Sequence, residues 1–148
     1  MPEKRTLDKA RKAKREGKAP STQAGAFVEE EIEHIREGKH GARSAKQAIA
    51  IGLSKARRAG VKLPPPPKSA SERTQRSAKS AKARAGKRPS PSRSRAAKAA
   101  LKDEPRAAAS PKALSRQATA AARRRPAKVR KAAAGRAAKT RAATRKRR

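Results

Sequence analysis

Lys and Arg dominate the residues of this 148-residue chain that could do chemistry: 44 of them stand against 11 Asp and Glu, a formal charge of +33. Clustered cations neutralise phosphates, and each contact releases condensed counterions, so binding is entropic and weakens as salt rises. The densest runs are Arg123-Arg124-Arg125, then Lys128, Arg130 and Lys131, and finally Arg145-Lys146-Arg147-Arg148. Guanidinium forks in such runs suit phosphate clamping. A second group, Lys46, Lys55, Arg57, Arg58 and Lys62, precedes four consecutive prolines. All of these are candidate nucleic-acid contacts. Solubility alone needs a net charge of only about 2–8 in a small domain, so the excess points to a polyanionic partner.

Other chemistry is sparse. Glu30 and His34 stand at i, i+4, and His40 follows with Glu33 and Glu37 nearby. Two His among helix-surface glutamates match no recognised ligand pattern, so neither metal nor cofactor is expected. Without Cys, disulfides and thiolate zinc sites are excluded. There is no glycine-rich phosphate loop and no nucleophile–base pattern, and the chain is not expected to be an enzyme. Single-stranded nucleic acids are read by stacking on aromatics, and Phe27 is the one aromatic present. The acidic stretch Glu29–Glu33 reads as a solvated helix face; the alternative is intramolecular pairing with the basic second helix or the tail.

The elements that position these residues follow from the apolar pattern. Of 14 large apolar residues, nine lie between Phe27 and Leu63, and only Leu101, Leu114 and Val129 fall after Pro67. Residues 1–37 carry nine basic and eight acidic residues, residues 38–68 eight basic and none acidic, and residues 69–148 carry 27 basic and three acidic. The expected architecture is mostly disordered with a small all-α part. Residues 1–19 form a basic arm with a possible short helix, 20–63 a helical hairpin, 64–68 a polyproline linker, and 69–148 a disordered Ala/Lys/Arg-rich tail with transient helices.

In the hairpin, a first helix follows Pro20, capped by Ser21 or Thr22, and runs to about Glu37 with Val28, Ile32, Ile35 and Phe27 as its stripe. Gly38 stops it. Ser44-Ala45-Lys46-Gln47 is a capping box for a second helix, whose face of Ala45, Ala48, Ile49, Gly52, Leu53 and Ala56 admits close approach of a neighbour. So few large side chains predict a marginal monomer that gains from dimerising or from a partner. In the tail, Ser94–Lys102, Leu114–Arg125 and Ala127–Ala138 have local helical potential opposed by like-charge repulsion. The longest apolar run, Ala48–Leu53, is far short of the roughly 20 residues of a membrane span, and Met1-Pro2-Glu3-Lys4-Arg5 has no signal-like character.

Residues 20–63 resemble a family of small proteobacterial proteins of unknown function, loosely labelled DNA-binding, whose members often carry Lys/Ala-rich tails. The likeness rests on Pro20-Ser21-Thr22-Gln23-Ala24-Gly25, on Ile35-Arg36-Glu37-Gly38-Lys39-His40-Gly41-Ala42-Arg43-Ser44, and on the segment Lys46–Gly60. It implies no catalytic residue and no ligand. Ser90-Pro91-Ser92-Arg93 and, less closely, Ser110-Pro111-Lys112-Ala113 resemble motifs of linker-histone tails, and the tail composition resembles bacterial histone-like proteins. The expected function is nonspecific duplex-DNA binding by a cytoplasmic, nucleoid-associated, histone-like protein, with a homodimer possible through the hairpin. RNA or ribosome association, and a protein-interaction module with an electrostatic tether, are the alternatives. Membrane binding is disfavoured because no basic segment carries a bulky apolar face.

Overall fold

The structure, a computed structural model, describes residues 2–87 and 90–146, the side chains of Thr140, Ala143, Thr144 and Lys146 aside. It overturns the expectation of a mostly disordered chain: the chain is 72% helical. Among the described residues there are seven α-helices: α1 (Lys4–Arg15), α2 (Pro20–Arg36), α3 (Ala45–Arg58), α4 (Glu72–Ala83), α5 (Pro91–Lys102), α6 (Pro111–Arg123) and α7 (Ala127–Lys146). A short 3-10 turn covers Arg106–Ala109. The chain divides into two compact units, Met1–Ala113 and Leu114–Arg148.

Two physical reasons account for the order of the segment expected to be a disordered tail. Ala contributes to the core far more than its size suggests. The buried apolar residues of the first unit are Phe27, Ile35 and nine alanines, which lets backbones approach without needing large side chains to fill the gap. In the second unit, no described side chain is buried, and the helices rest on propensity. Ala, Arg and Lys lie at the favourable end of the helix scale, and α7 is long enough to propagate. Like-charge repulsion in α7 is confined to three facing pairs, Arg141 with Arg145 at i, i+4 and Lys128 with Lys131 and Arg136 with Lys139 at i, i+3, each a cost of about 0.2–0.5 kcal/mol.

In the first unit α2 packs against α1, α3 and the 3-10 turn, and α3 also packs against α4. One core cluster joins Ala10 of α1, Ala24 and Phe27 of α2 and Ala56 of α3, with Leu7, Leu53, Val61 and Leu63 packed around it. The N-terminal arm is therefore a helix seated on α2. A second cluster joins Ile35, Ala42 and Ala48 with Ala108 and Ala109, and Ile32 lies against it. The hairpin's missing partner is thus supplied in part by its own downstream chain. Arg36 Nε donates to the Ala109 carbonyl at 3.0 Å, and the Gly41 and Ala42 amides donate to the carbonyls of Leu101 (2.8 Å) and Pro105 (3.2 Å).

Local signals explain the ends of the elements. Pro20 occupies N1 of α2 after Ala19, and neither Ser21 nor Thr22 is its N-cap. Gly38, at φ 77°, takes the left-handed turn that closes α2. Ser44 Oγ accepts from the Gln47 amide at 3.2 Å, while Gln47 Oε1 reaches back to the Arg43 amide at 2.8 Å. Ser71 caps α4 through the Thr74 amide. Ser90 and Ser110, the serines of the two Ser-Pro motifs, accept from the Arg93 and Ala113 amides at 3.3 Å each. These motifs are helix starts, with serine as the cap and proline in the first turn, where its missing N–H is harmless.

The α2–α3 contact is set by Gly52. A Cβ there would lie 2.7 Å from Val28 Cα and 3.0 Å from the Phe27 carbonyl oxygen, both backbone atoms that cannot swing aside. Gly52→Ala should therefore lower the unfolding free energy by about 1–3 kcal/mol. Gly25, also in α2 but with nothing within 4 Å of its Cβ position, should gain about 0.4–1 kcal/mol on replacement by Ala. Urea unfolding of the two variants, read by circular dichroism, checks the opposite signs.

Candidate functional site

The acidic stretch of α2 is split: Glu29 and Glu33 are exposed, as a solvated face requires, whereas Glu30 and Glu31 are buried. Ala24, Phe27, Glu30, Glu31 and Ile35 are its buried residues, so two carboxylates lie inside the stripe that packs on α3. Removing them from water is costly unless a cation and hydrogen bonds compensate. The cation is Lys55 of α3: its Nζ stands 2.6 Å from Glu31 Oε2 and 3.2 Å from Glu30 Oε1. The Glu3 amide donates to Glu30 Oε2 at 3.0 Å. Burial alone would push the Glu30 carboxyl up, but hydrogen bonds from Thr6 and the Glu3 amide, with the Lys55 charge, hold it below the usual carboxylate value.

Both Glu31 oxygens are fully buried and neither has a partner in hydrogen-bond geometry. The Lys55 ammonium and the His40 ring nitrogen approach them at short range, off the directions in which a hydrogen bond would form. His40 Nε2 lies 3.2 Å from Glu31 Oε1, and His40 Nδ1 lies 3.0 Å from the Gly41 carbonyl oxygen. His34 Nε2 is 2.9 Å from Glu3 Oε1, and the His34 and His40 rings meet edge to face with centroids 6.3 Å apart. The Glu3 carboxyl is held low chiefly by its bond to His34 and also by Lys39, which is itself held above the usual lysine value chiefly by Glu37. The carboxylate grouped with the two imidazoles, one atom of each residue within 4.8 Å of the others, is thus Glu31 and not Glu30, Glu33 or Glu37. A signal for it exists in the sequence: Glu31 stands four residues after Phe27 and four before Ile35, in the middle of an apolar stripe.

The candidate phosphate contacts separate into distinct environments. Lys55 is taken up by the buried carboxylates, with its side chain 22% exposed. Arg57 is partly buried and its Nη2 donates to the Pro64 carbonyl at 3.3 Å. Lys46, Arg58 and Lys62 are exposed. In the second unit Arg123, Arg124, Arg125, Lys128, Arg130, Lys131 and Arg145 are exposed. The Lys146 side chain and the residues Arg147 and Arg148 lie outside what the structure describes.

Acidic groups elsewhere in the first unit are also occupied internally. Glu29 pairs with Lys9 at 2.8 Å, Glu37 with Lys39 at 2.9 Å, Glu104 with Arg43 at 3.5 Å and Glu72 with Arg76 at 3.6 Å. No helix among the described residues is long and apolar enough to cross a membrane.

Residues 4–68 match a family of unknown function, DUF6496. The matched stretch holds α1, α2 and α3, and with them Glu30, Glu31, His34, His40 and Lys55. The resemblance seen in residues 20–63 therefore extends back through α1, and the matched family bears no DNA-binding or histone-like label. No curated protein and no solved structure matches the chain.

Lys55→Met leaves two buried carboxylates without their cation and should cost about 3–5 kcal/mol of stability, measured by chemical denaturation of the full chain. Acid should act on the same centre. A carboxyl held low in the fold contributes stability that is present above its unfolded value of about 4.3 and is lost as pH falls through the folded value. The urea midpoint should therefore drop as pH is lowered past that range, and Glu30→Gln should flatten the drop.

Proposed function

We propose that the protein binds duplex DNA without sequence preference, through phosphate contacts, as a histone-like nucleoid-associated protein. The observation that carries this reading is the partition of charge. Most carboxylates of the first unit lie in internal ion pairs, whereas residues 114–148 contain 14 Lys and Arg and no Asp or Glu. With no Asp or Glu side chain in this stretch to compete, phosphate oxygens suit the cations of these runs.

Two further observations favour a duplex over other polyanions. Phe27 is fully buried, so the chain presents no Phe, Tyr or Trp ring on which an unpaired base could stack. The cations of α7 are distributed around the whole helix, and Val129 is its single large apolar residue, 44% exposed. An interfacial membrane helix needs a broad apolar face instead. Lys46, Arg58 and Lys62, exposed beside α3, add contacts from the first unit.

Binding of the full chain to a duplex of mixed sequence should fall steeply with salt, with log K linear in log salt. Replacing Arg123, Arg124 and Arg125 together by Gln should reduce the magnitude of that slope by up to about 2.7, at about 0.9 per phosphate contact, and should act alike on unrelated sequences. Titrations against duplex DNA, single-stranded DNA and duplex RNA measure this. A flat salt response, or a strong preference for RNA, would defeat the DNA reading.

A further inference from the structure

We propose that Glu31, His34 and His40 form a binding site for a divalent transition-metal ion of the zinc class. One ligand atom from each residue lies within 4.8 Å of the others, and the donor set of two imidazoles and a carboxylate is one that zinc accepts. The site is built from α2 and the loop that follows it, inside the acidic corner of an otherwise strongly basic chain.

The argument turns on an atom that is not satisfied. Glu31 is buried to about the last hundredth of its side chain, with 1% exposed, and neither carboxylate oxygen has a hydrogen-bond partner. Lys55 occupies the Oε2 side at 2.6 Å, which leaves Oε1 directed at the imidazoles. His40 cannot satisfy it from its neutral form. The Gly41 carbonyl only accepts, so its contact with His40 Nδ1 at 3.0 Å requires the proton on Nδ1. In that tautomer Nε2 carries a lone pair, and it faces Glu31 Oε1 at 3.2 Å. Two lone pairs at this distance need a positive charge between them, which a proton or a metal ion supplies.

The surrounding geometry suits the metal. The 3.2 Å separation of Oε1 and Nε2 is close to the roughly 3.3 Å edge of a tetrahedral shell with zinc bonds of about 2.0–2.1 Å. Metal-bound imidazoles are normally oriented by a carbonyl or carboxylate on the outer side of the ring. His40 has the Gly41 carbonyl in that role, and His34 has the Glu3 carboxylate at 2.9 Å. The two imidazole side chains are each 14% exposed, so an ion can reach the site from solvent while the carboxylate remains dry. Formal charge also favours a cation: among the described residues the Lys and Arg partners of Glu3, Glu30 and Glu31 are Lys39 and Lys55. Such an ion would tie α2 to the His40 loop and, through Glu31, to Lys55 of α3.

The chain has two His, which makes the test direct. The full chain, stripped with a chelator, is titrated with ZnCl2 while both imidazoles are followed by long-range nitrogen–proton NMR. One equivalent should shift both rings together and raise the melting temperature. His40→Gln and Glu31→Gln should each weaken the affinity at least about 10-fold, in the range of losses known for metal-site substitutions. Co2+ in place of Zn2+ should give the visible bands of a tetrahedral site. If Glu31→Gln does not fold, by circular dichroism, His34→Gln replaces it as the second variant. The proposal is overturned if equimolar Zn2+ leaves either imidazole unshifted, or if the affinity survives His40→Gln unchanged. DNA binding in the presence and absence of Zn2+ is a separate readout, so this site can fail without affecting the phosphate-binding reading.

Discussion

The ammonium of Lys55 is the interaction on which the first unit depends. α2 brings Glu30 and Glu31 into the face it shares with α3, where water cannot solvate them. A single cation reaching across from α3 lies within 3.2 Å of both. Such a contact is a poor source of net stability, because desolvation consumes most of the attraction. It is a strong source of registry, because any slip of α3 along α2 would strand two buried charges. Gly52 acts in the same direction by letting the two backbones come close enough for Lys55 to reach, and the Glu3 amide and Thr6 bring α1 to the same carboxylate.

This internal use of charge shapes the outside of the molecule. Every carboxylate drawn into the fold is one fewer to mask the cations on the surface. The three-helix stretch engages most of its acid residues in ion pairs, while the second unit contains no Asp or Glu. The +33 of the chain is therefore spatially sorted, and the sorting is what favours a polyanion as partner. The correspondence of residues 4–68 with a family of unknown function places the buried ionic centre, and not the basic extension, within the shared stretch.

How much of this could be read beforehand varied with the kind of signal. The capping box at Ser44, the left-handed stop at Gly38 and the small-residue face of α3 each depend on a few neighbouring residues, and each is seen in the structure. The start of α2 was misjudged by a residue or two, since Pro20 at N1 displaced the serine and threonine that would otherwise cap it. The segments after Pro67 were misread as disordered. Counting large side chains ignored what alanine does when helices touch, as Ala108 and Ala109 do against Ile35 and Ala48. Counting charges ignored their stagger along α7.

The sequence by itself determined the helical propensity, the caps and stops, and the gross separation of charge, because these follow from residue type and from neighbours within a turn or two. Tertiary structure alone decided which charges are available. Lys55 looks like its neighbours Arg57 and Arg58 in the chain, yet it is the counterion of Glu30 and Glu31 while Arg58 faces solvent. Glu31 and His40 are nine positions apart and were brought to 3.2 Å only by the turn at Gly38 and the seat of the following loop against Leu101 and Pro105. Burial and pairing are properties of packed surfaces, and no local pattern encodes the distance between residues that meet only when helices do.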